Sequence, residues 1–278
     1  MSGRKPKRRL DLVLQENYPD FSRSRLQAEI MMGRVKVDGV TIDKPGTPVS
    51  ESARVEISFS DNPFVSRGGL KLKGALDTLK LDVSGLTVLD VGASTGGFTD
   101  CLLQMGAKNV YALDVGYGQL DFKLRSDPRV VSMERFNIRH LKREDLPEKP
   151  DLAVVDVSFI SLSHVMPALA SVGILEVLAL VKPQFEVGKA EADKGSGVIR
   201  DPSIHRDVIK DAIGYALAAG FRCIGVTFSP KPGPKGNIEY FILLKAETLV
   251  KTTDLDYPEL IRQVVDKAHL ELSERKKS

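Results

Sequence analysis

TVLDVGASTGGFTDCLLQMGAKNVYALDVGYGQL, residues 87–120, decides the fold. A short apolar run ends in Asp90, a glycine-rich turn follows through Gly92, Gly96 and Gly97, and a helix-like segment opens behind it. A second apolar run, VYALD at 110–114, again closes on an aspartate. The pattern repeats outward with LAVVD at 152–156 and VLALVK at 177–182. A helical segment at about 206–219 then leads to strand candidates at 222–228 and 238–244. Upstream, residues 68–79 read as a helix with Leu72, Leu76 and Leu79 on one face. Alternating strands and helices predict an α/β fold with a doubly wound, mostly parallel sheet.

Residues 9–60 have a different character. Leu10, Leu12, Val13, Leu14 and Tyr18 suggest a first helix. Ser22 or Ser24 is placed to cap a second containing Leu26, Ile30 and Met31, which Gly33 ends. VKVDGVTI is two short strands around Asp38-Gly39, a strong hairpin signal. A turn at Pro45, Gly46 and Pro48 precedes a strand around 54–59. The expected division is a small α+β domain with a basic arm at 1–60, a linker at 61–66, the α/β domain at 67–250, and a helical tail at 251–278 with Pro258 in its first turn.

Charge separates the same regions. The formal net charge is +3, and residues 1–60 hold eleven Lys/Arg against eight acids, so the remainder is near neutral. Five basic residues fall between Arg4 and Arg9 without an acid, an arrangement suited to phosphate attraction. Hydrophobic residues at 42% and charged residues at 28% exclude a disordered chain. Cys101 and Cys223 have no CxxC partner, and the four histidines form no HxxxH pair, so neither a disulfide framework nor a histidine metal site is expected. The uncharged run at 157–175 contains four serines, His164, Pro167 and Gly173, too polar for a spanning helix. A buried strand, loop and helix fit it better, and the basic N-terminus lacks the apolar core of a secretory signal, so a soluble, cytoplasmic protein is expected.

The four central strands end in Asp90, Asp114, Asp156 and Lys182. In open α/β sheets ligands bind beyond these carboxyl ends. Ser94 stands where a dinucleotide fingerprint has its second glycine, and two acids flank the turn. Asp114 can accept ribose hydroxyls and Asp90 can orient the loop and face a cationic group; S-adenosylmethionine, which lacks phosphates, has that profile. Lys182, before Pro183, is a candidate proton acceptor with Asp156 as its natural partner. Lys71, on the helix ahead of the first strand, and Glu239, within an apolar strand after the loop at 230–236, read equally well as surface or site residues on spacing alone.

RLDLVLQE at 9–16 and SRSRLQAEIMMGRVKVDGVTI at 22–42 resemble an S4 RNA-binding domain. FVSRGGLKLKGAL, LDVGASTGGFTDCLL, ALDVGYGQL, VVDVSFISL, LVKPQFE and GNIEYFILL resemble the FtsJ-type, Rossmann-like methyltransferase half of the TlyA family. The likeness covers nearly the whole chain. It implies S-adenosylmethionine-dependent 2′-O-methylation of cytidine in ribosomal RNA, with ribosomal RNA or subunits as partner and no metal or membrane. The family's Lys-Asp-Lys-Glu tetrad would fall on Lys71, Asp156, Lys182 and Glu239. Its methyl-donor pocket would fall on Asp90, Gly92, Ser94, Gly96, Gly97 and Asp114, with Asn137 as the adenine contact. RNA contacts are expected from Arg4, Lys5, Arg23, Arg25, Arg34 and Lys36. Two other classes compete: a membrane-active protein, as the haemolysin label carried by many family members implies, and a catalytically silent RNA-binding assembly factor. The weakly amphipathic 257–275 segment is the membrane candidate, whereas an intact tetrad argues for the enzyme.

Overall fold

A computed structural model of the chain describes residues 7–19, 21, 23–31, 33–58, 62–187, 197–250 and 255–274. It contains two compact units, Met1–Val65 and Ser66–Ser278, so the boundary falls inside the segment read as a linker.

The first unit runs β1 (Lys7–Arg9), α1 (Leu10–Asn17), α2 (Arg23–Met31), β2 (Val35–Val37), β3 (Val40–Ile42), β4 (Pro48–Ser50) and β5 (Val55–Ile57). β2 pairs antiparallel with β3 and β5, and β1 pairs with β4. Asp38 and Gly39 both have positive φ, +52° and +80°, the conformation a two-residue hairpin of this twist requires. Leu10, Leu14, Leu26, Ile30, Val35 and Val49 form its core. Met31 lies outside it, 61% exposed. The β1–β4 ladder has no counterpart in the sequence reading; three-residue strands are too short to show a period. Ser22 lies outside the described residues, as does the side chain of Ser24.

The second unit opens with α3 (Gly68–Leu79), β6 (Thr87–Val91), α4 (Gly97–Gln104), β7 (Asn109–Leu113), α5 (Phe122–Arg125) and β8 (Val130–Met133). It continues with β9 (Leu152–Val155), α6 (Leu162–Ser171), β10 (Glu176–Val181), α7 (Pro183–Glu186), α8 (Pro202–Ala218), β11 (Phe221–Phe228), β12 (Tyr240–Ala246) and α9 (Tyr257–Glu274). The seven strands form one sheet in the order β8-β7-β6-β9-β10-β12-β11. The first five run parallel, and β12 runs antiparallel to both of its neighbours. The doubly wound expectation holds, with one insertion. The chain starts in the middle at β6, winds outward through β7 and β8, then restarts at β9, leaving a switch point between β6 and β9.

The antiparallel β12 matters for the site. Its register pairs Tyr240 with Val181, so its beginning lies at the edge where β10 ends. Lys182 and Glu239, the next residues outward, therefore share one edge despite 56 intervening positions in sequence.

Leu89, Ala153, Val155, Ala179, Ile242 and Leu244 pack with Val165, Leu169, Ile209 and Ala216 of α6 and α8. Leu72, Ala75, Leu76 and Leu102 of α3 and α4 are buried as well. Within the segment read as a helical tail, α9 sends Ile261, Val265 and Ala268 into the same core. That spacing is one helical face, and burial against the sheet accounts for its amphipathicity. The 157–175 run is a loop followed by α6, since β9 stops at Val155. No helix among the described residues is long and apolar enough to cross a membrane.

Candidate active site

The turn after β6 is built for close approach. Gly92 has φ +87°, and a Cβ there would stand 2.4 Å from the Asp156 carbonyl oxygen. Its N–H and that of Ala93 donate to Leu113 O at 2.8 and 3.1 Å, hanging the loop on the end of β7. Ser94 also has positive φ, +49°, and its backbone N–H donates to Asp114 Oδ2 at 2.8 Å. The other oxygen of Asp114 accepts the Gly116 N–H at 2.7 Å. Two backbone donors thus hold the Asp114 carboxylate against the loop.

Gly92, Ser94, Asp114, Asn137 and Asp156 line a cavity of about 800 Å³ at the β6–β7–β9 edge. Gln119, Arg139, Ser158 and His164 line it too; these carried no sequence signal beyond proximity to the motifs. Asp90, Gly96 and Gly97 do not line it and act from beneath. Thr99 of α4 donates to Asp90 Oδ2 at 2.6 Å, and Asp90 Oδ1 is buried without a hydrogen-bond partner among the described residues. Burial pushes the Asp90 carboxyl up to about 7; the Thr99 hydrogen bond opposes this, and the charges of Asp156 and Asp114 add to it. A Cβ on Gly96 would strike Leu124 at 2.2 Å, and one on Gly97 would strike Ser66 Oγ at 2.1 Å. Those glycines therefore serve packing of the turn and of α3 on α4. Carboxylates in the wall repel a pyrophosphate, whereas a cationic adenosyl ligand meets acceptors for its hydroxyls and compensation for a buried acid. S-adenosylmethionine fits this donor set.

At the neighbouring edge the four tetrad candidates form two ion pairs. Lys182 Nζ lies 2.5 Å from Asp156 Oδ1 and donates to Ser158 Oγ at 3.0 Å. Lys71 Nζ donates to Glu239 Oε2 at 2.6 Å. All but Asp156 are at least nine-tenths buried. Asp156 follows β9, Lys182 caps α7 after β10, Lys71 sits in the first turn of α3, and Glu239 precedes β12. α3 reaches this edge because Gly74 packs on Pro230, where a Cβ would come within 2.4 Å of the proline ring. Phe159, 90% exposed with φ +65°, packs on Phe185 at a centroid distance of 4.8 Å beside the lysine. Among the described residues no group of three His, Cys, Asp or Glu stands close enough to hold a metal ion.

In the first unit, Arg23 and Arg34 are already engaged. Asp11, wholly buried, accepts from Arg9 Nε and Nη2 at 3.0 Å, from Arg23 Nη2 at 2.8 Å and from Gln27 at 2.7 Å. The Arg9 hydrogen bonds, aided by Arg23 and Gln27, hold its carboxyl far below the usual carboxylate range. Arg34 donates to Glu29 at 2.8 Å. Lys36 is exposed on β2, opposite Thr41 and Glu56. Arg4, Lys5 and the side chain of Arg25 lie outside the described residues.

Residues 64–246 match the FtsJ-like methyltransferase family model, and residues 8–55 match the S4 domain. The chain is 46% identical over 233 residues to the 16S/23S rRNA (cytidine-2′-O)-methyltransferase TlyA of Mycobacterium tuberculosis, covering 82% of this chain and 87% of that protein. It is 42% identical to Hemolysin A of Brachyspira hyodysenteriae, covering 84% and 97%. A solved structure from Streptococcus thermophilus, provisionally named a hemolysin, superposes with TM-score 0.75 at 40% identity, covering 99% of this chain and all of that one.

Proposed function

The chain belongs to the FtsJ-like methyltransferase family, as a TlyA-type member with an S4 domain, and from that premise we propose that it methylates the ribose 2′-hydroxyl of cytidine in ribosomal RNA. The supporting observation is the placement of two ion pairs at one sheet edge, with Asp156 of one pair also lining the cavity. The relatives' names supply the nucleotide and the RNA; the edge supplies chemistry suited to them.

S-adenosylmethionine, when bound, provides a methyl group already activated by a sulfonium. What remains is to place the 2′-hydroxyl in line and to take its proton, and positioning supplies much of the acceleration. Gly92, Ser94, Asp114 and Asn137 hold the donor. Lys182 takes the hydroxyl proton. Asp156 aligns its amine as the ion-pair partner, and Ser158 Oγ accepts one of its N–H groups. Lys71, held by Glu239, steadies the ribose. Positioned proton transfer of this kind is worth roughly 10²–10⁴ in rate.

The S4 unit supplies RNA affinity through phosphate contacts, which position without reading sequence. Arg23 and Arg34 enter that surface with their guanidinium planes fixed by Asp11 and Glu29, and Lys36 as an exposed charge on β2. A ribosomal RNA substrate fits a cytoplasmic location. The haemolysin names of some relatives carry no support here, since the amphipathic face of α9 is spent on the core.

The test is transfer of labelled methyl from S-adenosylmethionine to purified ribosomal subunits, followed by alkaline hydrolysis of the RNA. A 2′-O-methyl group blocks cleavage at its own linkage, so the label should survive in a dinucleotide headed by cytidine. Label released as a mononucleotide would place the methyl on a base and contradict the reading. Cofactor binding with no transfer to either subunit would favour an assembly role.

A further inference from the structure

Lys71 is not the sole partner of Glu239. Gln184, in the single turn α7, donates its Nε2–H to Glu239 Oε1 at 3.0 Å, on the oxygen opposite the one that receives Lys71. Gln184 is itself only 9% exposed, and its own Oε1 is buried without a hydrogen-bond partner among the described residues. An unpaired buried oxygen is costly, and turning the amide over gives no relief. The flip would set Oε1 against a carboxylate oxygen and strand the N–H groups instead. The amide is locked with its donor committed to Glu239.

The same turn makes a second connection. Lys182, two residues earlier, reaches Asp156 and Ser158. Lys182-Pro183-Gln184 therefore touches both ion pairs, and Pro183 fixes the backbone between the two contacts. Gly233 packs against the same carboxylate: a Cβ there would lie 2.0 Å from Glu239 Oε1. The carboxylate therefore contacts both an amide and bare backbone.

Resting on the methyl-transfer reading above, we infer that Gln184 is a positioning residue that fixes Glu239 and joins the Lys71–Glu239 and Asp156–Lys182 pairs into one unit. It acts through Glu239 and not on the substrate. An acceptor left unpaired beside a reactive edge is a cost to stability that placement of the edge explains.

The experiment compares wild type, Gln184→Met and Gln184→Glu for kcat and KM on ribosomal subunits, S-adenosylmethionine affinity, thermal midpoint and rate–pH profile. Absence of transfer by the wild type would sink the underlying reading and not this one. With the wild type active, Gln184→Met removes both the donor and the unpaired oxygen. Its kcat should fall at least tenfold, with cofactor affinity within twofold and a midpoint within a few degrees of wild type, since the donor lost by Glu239 and the unpaired oxygen removed act in opposite directions. Gln184→Glu keeps the shape but faces one carboxyl with another, so the pair shares a proton. Its rate should fall as pH rises past loss of that proton, adding a descending limb that the wild type lacks. A Gln184→Met kcat within twofold of wild type overturns the inference, as does a Gln184→Glu profile of wild-type shape merely scaled. Should the methionine variant fail to fold, the shape of the glutamate profile decides alone.

Discussion

Asp11 in the first unit and Asp90 in the second are both wholly buried, and their surroundings push them in opposite directions. Asp11 is surrounded by donors from Arg9, Arg23 and Gln27 and is held ionised. Asp90 has one hydroxyl, from Thr99, and an oxygen with no partner among the described residues, and burial raises it to about 7. Burial is common to both; the supply of donors differs. A surplus marks an acid that organises its own domain. A deficit marks an acid whose compensation comes from elsewhere, here beneath a cavity suited to a cation. The two ion pairs at the sheet edge lie between these extremes: Glu239 accepts from Lys71 and Gln184, whereas Asp156 Oδ1 faces the Lys182 charge without a hydrogen-bond donor among the described residues.

The largest expected effect breaks one of those pairs. Lys71→Met leaves the Glu239 charge buried with only Gln184 for company and should cost the second unit about 3–5 kcal/mol in urea denaturation. The double variant Lys71→Met/Glu239→Leu should recover most of that stability and no methyl transfer. Recovery of both would mean the pair serves packing alone.

The contrast between the two aspartates has a pH signature of comparable size. Asp90 is raised in the folded state, so its contribution to stability is full below about pH 4 and is lost as pH rises through about 7, on the order of 4 kcal/mol. Asp11 is lowered, so its contribution is present above about pH 4 and is lost as pH falls below it. Hydrogen exchange on the intact chain should show β6 amides losing protection between pH 4 and 7 while α1 amides lose theirs only in acid. Asp90→Asn should flatten the first trend and leave the second. Parallel trends in both units would refute the contrast.

Gly92→Ala asks for a Cβ in left-handed backbone against the Asp156 carbonyl. It should cost about 2 kcal/mol and abolish S-adenosylmethionine binding by calorimetry. Retained binding would show that the turn does not touch the donor. Smallest of all is Lys36→Ala: stability within about 0.5 kcal/mol of wild type, and a salt dependence of RNA binding shallower by about one. An unchanged salt slope would remove Lys36 from the phosphate-contacting surface.

Much of this was legible in sequence because it depends on local order. α3 spans the residues its leucine spacing indicates, the Asp38-Gly39 turn needs only two residues, and strand ends announce themselves where apolar runs meet Asp114, Asp156 and Lys182. β8 escaped because VVSM is a half-exposed edge strand with no alternation to read. The partners escaped for a different reason. That Gln184 meets Glu239 and Ser158 meets Lys182 follows from the β10–β12 register and the loop after β9, which no spacing in the chain encodes. Arg23 and Arg34 read as free cations because their acids lie 12 and 5 residues away, on another helix or turn.

The central claim is that Lys182 takes the ribose proton while the cavity holds the methyl donor without it. Single-turnover methyl transfer to ribosomal subunits and S-adenosylmethionine calorimetry, both on wild type and Lys182→Ala, test it most directly. The account predicts cofactor affinity within about threefold and a transfer rate lower by roughly 10²–10⁴. Near-normal transfer by Lys182→Ala, with the cofactor bound as in wild type, would contradict it.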